Sequence, residues 1–169
     1  LLDIDVTRQQ LFLLSDPKVS GATDPVVSTI DLATMVATNL TANSIPKDGD
    51  FVLSQVNAMT YSADDNEIYL LEDTQDAVFR VDTTTGARSL VAATGPVDAK
   101  NHIGNTTLSD VFWRDDHQTY LLDNKLSSVF GYNLYFGGKD LLTNAAIDEA
   151  NVLRTPSQGA WDPVNETML

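Results

Sequence analysis

The chain has 169 residues, of which 43% are hydrophobic and 20% charged, which is enough for one domain with a core. Its net charge of −14 argues against nucleic acid or an anionic membrane as a partner. The same charge keeps a surface soluble and would suit cations, basic partners or a salty medium. The absence of cysteine excludes disulfides and thiolate metal sites, and no apolar stretch is long enough to span a membrane.

The first predicted unit covers residues 1–38. Short runs rich in β-forming residues alternate there with clusters of turn-forming residues, a pattern typical of antiparallel strands. A loop over 16–25 carries Gly21 and two prolines, which are typical of an irregular connection. The predicted strands lie at 1–6, 11–15, 26–30 and 34–38.

The second unit, 56–92, has the clearest pattern. Turn-forming residues at 62–66 and 82–86 separate its apolar runs, and Gly86 suits a turn position that needs positive φ. Four short strands joined by tight turns predict an antiparallel meander, which needs similar neighbours to bury both faces. The predicted strands lie at 58–61, 68–71, 77–81 and 87–91.

A third unit at 108–142 and the start of a fourth at 158–169 follow. The unit boundaries are long, mostly polar connections, and 145–152 is expected to form either a turn or two of helix or an ordered loop. The predicted strands are 108–113, 119–122, 128–133 and 134–142 in the third unit, and 159–161 and 167–169 in the fourth.

The units are imperfect repeats of one another. Their second strands carry the anchor residues Phe12, Tyr69, Tyr120 and Met168, which recur about every 50 residues, each after a polar turn. That period suits one four-stranded propeller blade with generous connections.

The pattern resembles the six-bladed β-propellers of the NHL-repeat and gluconolactonase-like group, in which a blade strand ends in Asp-x-x-Thr-Gly. The second unit matches over its whole length, including 82–86, whereas the third lacks the Thr-Gly turn. The resemblance implies an all-β fold: one β-propeller domain over 1–169, expected to be partial, with four-stranded antiparallel blades at about 1–38, 56–92, 108–142 and an incomplete 158–169.

Three blades and a start do not close a propeller, and an open end would bare strand edges and an apolar blade face. We therefore expect the rest of the propeller to come from a longer chain or from oligomerisation, and we favour the longer chain. The lack of an initiating Met and of a signal peptide fits a mature or trimmed chain.

Strand parity predicts one binding face. Loops after second strands and connections after fourth strands fall at the same end of a meander, and all the long loops of this chain belong to that end. Five polar residues follow or end second strands there: Asp16, Glu72, Asp73, Asp123 and Asn124. Such carboxylates are candidate ligand-binding residues and could hold Ca²⁺, or each could instead accept hydrogen bonds from its own loop.

Enzymatic motifs are not recognisable. The lactonase members of the resembled group hold a metal with Glu, Asn and Asp, but the Glu-Gly-Pro and Asn-Gly-Leu segments that would carry these are missing here. A zinc pair is not expected from His102 and His117, because His117 falls in a tight turn at the opposite end. No catalytic residue, cofactor or resident metal is therefore assigned. The recurring aromatics are expected in the core: Tyr61, Tyr69, Phe79, Phe112, Trp113, Tyr120, Phe130 and Trp161.

Two functions remain open. The first is a non-catalytic propeller that acts as a binding or scaffold module of a secreted, periplasmic or cell-surface protein. Its partner is a protein or small molecule bound at the long-loop face. The alternative is a metal-dependent hydrolase or lyase of the lactonase-like type, with its site mostly in further blades.

Overall fold

The structure is a computed structural model that describes residues 1–15, 26–40, 55–72, 74, 77–93, 107–114, 118–124, 127–133, 139–143, 158–162, 164–165 and 167–168. Regular structure in these ranges consists of β-strands. The strands are β1 (Leu2–Asp5), β2 (Gln10–Ser15), β3 (Val26–Asp31), β4 (Val36–Asn39), β5 (Val56–Ser62), β6 (Glu67–Glu72), β7 (Ala77–Asp82), β8 (Arg88–Ala93), β9 (Leu108–Trp113), β10 (Gln118–Asp123), β11 (Ser128–Asn133), β12 (Lys139–Thr143), β13 (Trp161–Asp162) and β14 (Thr167–Met168).

These strands form sheets in simple chain order. β1–β4, β5–β8 and β9–β12 each make a four-stranded antiparallel sheet, and β13 pairs with β14 in a two-stranded hairpin. We call these sheets blade one to blade four. The predicted all-β architecture, with three four-stranded blades and the start of a fourth, is confirmed.

In blades one and two, tight turns join the first strand to the second and the third strand to the fourth. In blades one and two each of these turns ends on a residue with positive φ: Gln9 (53°), Met35 (58°), Asn66 (57°) and Gly86 (71°). The prediction for Gly86 is therefore confirmed. The residues at the other three positions have side chains, which make a positive φ sterically less favourable than it is for glycine.

The blades pack face to face through apolar side chains. One core joins blade one to blade two and includes Phe12, Val27, Ile68 and Leu70. A second joins blade two to blade three, where the rings of Tyr69 and Trp113 stack 5.6 Å apart. Since the central strands β6 and β10 have neighbouring sheets on both sides, nearly all of their residues are buried, whichever way the side chain points.

The predicted aromatic core is confirmed for the described side chains. Six of the aromatics are buried and Trp113 packs, half-buried, against the core between blades two and three, whereas the side chain of Trp161 is outside the described part of the chain. The six are Tyr61, Tyr69, Phe79, Phe112, Tyr120 and Phe130.

Some strand boundaries differ from the predicted ones. β4 begins at Val36 rather than at residue 34, because Asp31 Oδ1 accepts hydrogen bonds from the N–H groups of Ala33 and Thr34 and extends the turn. β12 is shorter than predicted and occupies Lys139–Thr143, and β13 begins at Trp161 instead of residue 159. The predicted helix or loop at 145–152 lies outside the described residues.

Candidate functional site

The first strands of the blades line an open central cavity of about 980 Å³. β1, β5 and β9 each supply one wall, and residues 158–160, just before β13, supply the fourth. This arrangement makes them the innermost strands of the propeller. The lining consists of residues 1–4, 57–61, 109–113 and 158–160.

A side chain on each inner strand reaches the inner strand of the next blade. Asp3 Oδ2 accepts a hydrogen bond from the Tyr61 N–H (2.6 Å), and Thr60 Oγ1 accepts one from the Trp113 N–H (3.0 Å). In blade three, Asp110 Oδ2 accepts the N–H of Gly159 (2.7 Å). We call these three contacts the inter-blade latches. They satisfy N–H groups that an inner edge strand would otherwise present to the cavity.

The two carboxylates of these latches also bond their own strands. Asp3 Oδ1 accepts the N–H of Ile4 (2.7 Å), and Asp110 Oδ1 accepts that of Val111 (2.9 Å). Burial raises the pKa of both carboxyl groups above the ordinary value, and the hydrogen bonds from backbone N–H groups offset this only in part.

The charged side chains that line the cavity are acidic. Among the described residues around the cavity, Asp3 and Asp110 carry the charge and no Lys, Arg or His takes part. Asn57, Ser109 and Gln158 add neutral hydrogen-bonding groups. Such a lining suits a neutral or cationic ligand better than an anion.

Two of the predicted site residues lie at the predicted end of the blades. Glu72 ends β6 beside Val56, and Asp123 ends β10 beside Leu108, so both lie next to the start of an inner strand. We call this the long-loop end. Both side chains are 0% exposed, and Glu72 Oε1 accepts the N–H of Gln55 (3.2 Å). Glu72 therefore helps to hold the framework of the long-loop end, and the role of both residues toward a ligand stays a prediction.

The remaining predicted residues are placed only in part. Asn124 is half-buried, and its N–H donates to the carbonyl oxygen of Thr107 (3.0 Å), whereas Asp16 and Asp73 lie outside the described residues. Strand register shows that Asp123 corresponds to Glu72, which ends β6 as Asp123 ends β10.

No three Asp, Glu or His side chains gather into a metal-sized cluster within the part of the chain that the structure describes. The predicted Ca²⁺ site thus gains no support from geometry and stays a prediction. Within the same ranges, the structure contains no helix with the length and apolar character needed to cross a bilayer.

The sequence predicted a turn at 82–86, but the hydrogen bonds that aspartates make at this opposite end of the blades were not predicted. Asp31 and Asp82 each end the third strand of a blade, and Asp162 ends β13. Each accepts hydrogen bonds from the N–H groups two and three residues ahead, at 2.7–3.2 Å. An Asp followed three positions later by Thr or Asn was the signal that could have found them.

The inter-blade latches were also missed. Asp3 and Thr60 occupy corresponding positions, since Asp3 pairs with Phe12 and Thr60 with Tyr69, whereas Asp110 lies two residues earlier along its strand. The latch residue differs in type and in position from blade to blade, so no repeat in the sequence indicates the inter-blade latches.

Comparison with known proteins identifies the fold. No protein-family model matches the chain, and no curated protein is similar in sequence. A structure of a nidogen/laminin complex is similar over 86% of this chain, which corresponds to 47% of the chain in that structure. The sequence identity is 14% and the TM-score is 0.59. Hydrazine synthase of Kuenenia stuttgartiensis is similar over 95% of this chain and 38% of the synthase chain, with 14% sequence identity and a TM-score of 0.60.

Another similar structure is the β-propeller domain of Cps50 (Swd1) from Myceliophteria thermophila. The similarity covers 99% of this chain and 47% of the Cps50 chain, with 10% sequence identity and a TM-score of 0.59. The chain spans less than half the length of each of these structures. They support a propeller without singling out the NHL-repeat and gluconolactonase-like group. The chain therefore has a β-propeller fold.

Proposed function

We propose that the chain is part of a non-catalytic β-propeller binding module whose ligand enters the central cavity from the long-loop end. The cavity between the inner strands is the observation that carries this proposal. A concave site held by rigid strands and lined by a few polar groups is the usual form of a ligand site.

The chemistry of the lining narrows the ligand class. Asp3 and Asp110 bring negative charge without a basic side chain among the described lining residues, and their carboxylates already accept backbone N–H groups. Asn57 and Ser109 lie near the starts of β5 and β9, at the long-loop end. The proposed ligand is therefore a neutral or cationic group that hydrogen-bonds to these side chains.

The similar structures support the propeller fold and do not favour one role over another. One belongs to a nidogen/laminin complex, and another is named hydrazine synthase, an enzyme. At 10–14% identity such likeness carries the fold alone. The proposal of a secreted, periplasmic or cell-surface protein rests on the resemblance seen in the sequence, and fractionation of the native source tests it.

Thermal-shift screening of small organic amines and neutral sugars, followed by titration calorimetry of the hits, tests the ligand site. Asn57→Leu should weaken a hit at least about tenfold, because it removes a polar group from the mouth of the cavity. The control Asp64→Ala, in an exposed turn at the other end, should leave affinity unchanged. Equal effects of the two changes, or the reverse order, would contradict the site.

Turnover measurements test the catalytic alternative. The protein should not hydrolyse lactones or aryl esters, and added Ca²⁺ or Zn²⁺ should not change this. Turnover that disappears on chelation and returns with the metal would replace the binding module with the metal-dependent hydrolase or lyase.

A further inference from the structure

The inner strands direct part of their backbone toward the cavity. Leu1 and Leu14 exchange two backbone hydrogen bonds, of 3.0 and 3.2 Å, so every second residue counted from Leu1 bonds to β2. The residues between them, Leu2 and Ile4, turn both their N–H group and their carbonyl oxygen away from β2. Because β1 is an innermost strand, these groups face the cavity that both residues line.

One level of the cavity is built alike in blades one to three. Ile4, Tyr61 and Trp113 occupy corresponding positions, since each pairs with the residue just before the anchor residue of its blade. Asp3 accepts the N–H groups of Ile4 (2.7 Å) and Tyr61 (2.6 Å). Thr60 accepts that of Trp113 (3.0 Å). These three N–H groups are therefore not available to a ligand.

Oxygen atoms at the same level remain open to the cavity. The carbonyl oxygens of Ile4 and Tyr61 point to the same side as their N–H groups, and no donor from the described ranges of the chain reaches them. Each Asp3 carboxylate oxygen accepts one N–H group and can accept a second hydrogen bond. We call these oxygens of Asp3, Ile4 and Tyr61 the acceptor level.

A second carboxylate adds to this character in blade three. Asp110 accepts the N–H groups of Val111 (2.9 Å) and Gly159 (2.7 Å), so it is held as Asp3 is held. Val111 lies two residues before Trp113 on the same strand, and its carbonyl oxygen therefore also turns to the cavity. The cavity thus combines negative charge with backbone acceptors whose neighbouring donors are already bound.

We propose that the cavity binds an organic cation that carries several N–H donors, an alkylguanidinium or alkylammonium group, with these donors directed at the acceptor level. This inference rests on the proposed ligand site and narrows its ligand class. A neutral ligand would leave the carboxylate charge unmatched, and a cation without N–H groups would leave the carbonyl oxygens without a donor. Ile4 and Tyr61 lie near the ends of β1 and β5, farther from the long-loop end than Asn57 and Ser109, so the cationic group enters first.

Three ligands of similar shape separate the need for charge from the need for donors. Butylguanidinium has both, butylurea keeps N–H donors without charge, and butyltrimethylammonium keeps the charge without N–H donors. Titration calorimetry on the purified full-length protein should show butylguanidinium binding at least about tenfold tighter than either analogue.

One matched pair of variants assigns this preference to the acceptor level. Asp3→Asn removes the charge and keeps an acceptor oxygen, so it should weaken butylguanidinium at least about tenfold and change butylurea little. Asp64→Asn removes the same charge from an exposed turn outside the cavity and should leave both affinities unchanged. If Asp3→Asn does not fold, the three ligands on the wild type decide the question.

Butylurea binding as tightly as butylguanidinium, with both weakened by Asn57→Leu, would overturn this inference and leave the proposed ligand site standing. Butyltrimethylammonium binding as tightly would also overturn it, because charge alone would then suffice. So would equal effects of Asp3→Asn and Asp64→Asn, or no binding of any of the three compounds. The ligand site itself is contradicted only by the separate result that Asn57→Leu leaves the hits of the wider screen unchanged.

Discussion

At the scale of single residues, aspartate side chains decide where the turns begin. Asp82 Oδ1 accepts the N–H groups of Thr85 (2.7 Å) and Thr84 (2.8 Å), which would otherwise have no partner within the turn. The same contacts, that from Thr85 above all, hold the pKa of the Asp82 carboxyl below its ordinary value of 3.8. Asp31 repeats the arrangement in blade one.

Replacing Asp82 with alanine should therefore lower the free energy of unfolding by about 1 kcal/mol, measured by urea denaturation at pH 7. The neighbouring turn residue Asp64 is exposed and makes no comparable contact, so Asp64→Ala should change stability much less. Equal losses in the two variants would show that charge at this end, and not the turn contact, matters.

The pH dependence of the same residue has a fixed sign. Because the folded-state pKa of Asp82 is lowered, its contribution is fully present above pH 3.8 and is lost as the pH falls through the folded-state value. The stability advantage of the wild type over Asp82→Asn should therefore shrink as the pH falls below 3.8. An advantage that stays constant down to pH 2 would contradict this.

At the scale of elements, the turn between β7 and β8 contacts the neighbouring blade. Gly86 has φ of 71°, and a Cβ there would lie 1.8 Å from the carbonyl oxygen of Leu40, just after β4. Met35 occupies the same turn position in blade one, also with positive φ, but its side chain is 73% exposed. The backbone conformation thus tolerates a side chain, whereas the approach of the next blade does not.

Gly86→Ala should consequently cost at least about 2 kcal/mol of unfolding free energy, since backbone must move to admit the methyl group. The matched change Met35→Ala should cost less than about 0.5 kcal/mol, because its side chain meets solvent. Comparable costs at the two turns would mean that blades one and two do not approach each other here.

The latch between blades two and three can be removed by a substitution that keeps the shape of the Thr60 side chain. Thr60→Val keeps the volume and deletes the hydroxyl that accepts the Trp113 N–H, leaving a partly buried donor without that bond. We expect a loss of about 1–2 kcal/mol in urea denaturation. Thr38→Val, on the exposed edge strand β4, is the control and should be close to neutral.

The elements were predictable because their signals are local. Phe12, Tyr69 and Tyr120 each lie in a similar apolar run that follows a polar turn. The strands, the turns and the blades could therefore be predicted from the repeat. The contacts between blades depend on which side chain the strand register brings opposite a neighbouring N–H. Asp3, Thr60 and Asp110 differ in type and offset, and no local pattern distinguishes them from other polar strand residues.

At the scale of the whole molecule, the inner strands bring two partly buried carboxylates to one cavity. Burial raises the pKa of Asp3 and Asp110 above 3.8 despite their backbone hydrogen bonds. A raised folded-state pKa contributes stability that is fully present below 3.8 and is lost as the pH rises through the folded-state values. These two residues therefore make the protein less stable as the pH rises from 3.8 through their folded-state pKa values.

The double variant Asp3→Asn/Asp110→Asn should remove that dependence, since asparagine keeps an acceptor oxygen and does not titrate. Urea denaturation at steps above pH 4 should show wild-type stability falling relative to the variant as the pH rises. A difference that does not vary with pH would show that the cavity does not raise the pKa of the two carboxyl groups.

The account depends most on successive blades being joined, inner strand to inner strand, around a common cavity. Amide hydrogen exchange at Tyr61, Trp113 and Gly159 measures this directly, because each N–H is bonded to a side chain of the preceding blade. We predict slow exchange at all three in the wild type, and Asp3→Ala should selectively speed exchange at Tyr61. Exchange as fast as at the exposed turn residue Val6 would contradict the stacked propeller.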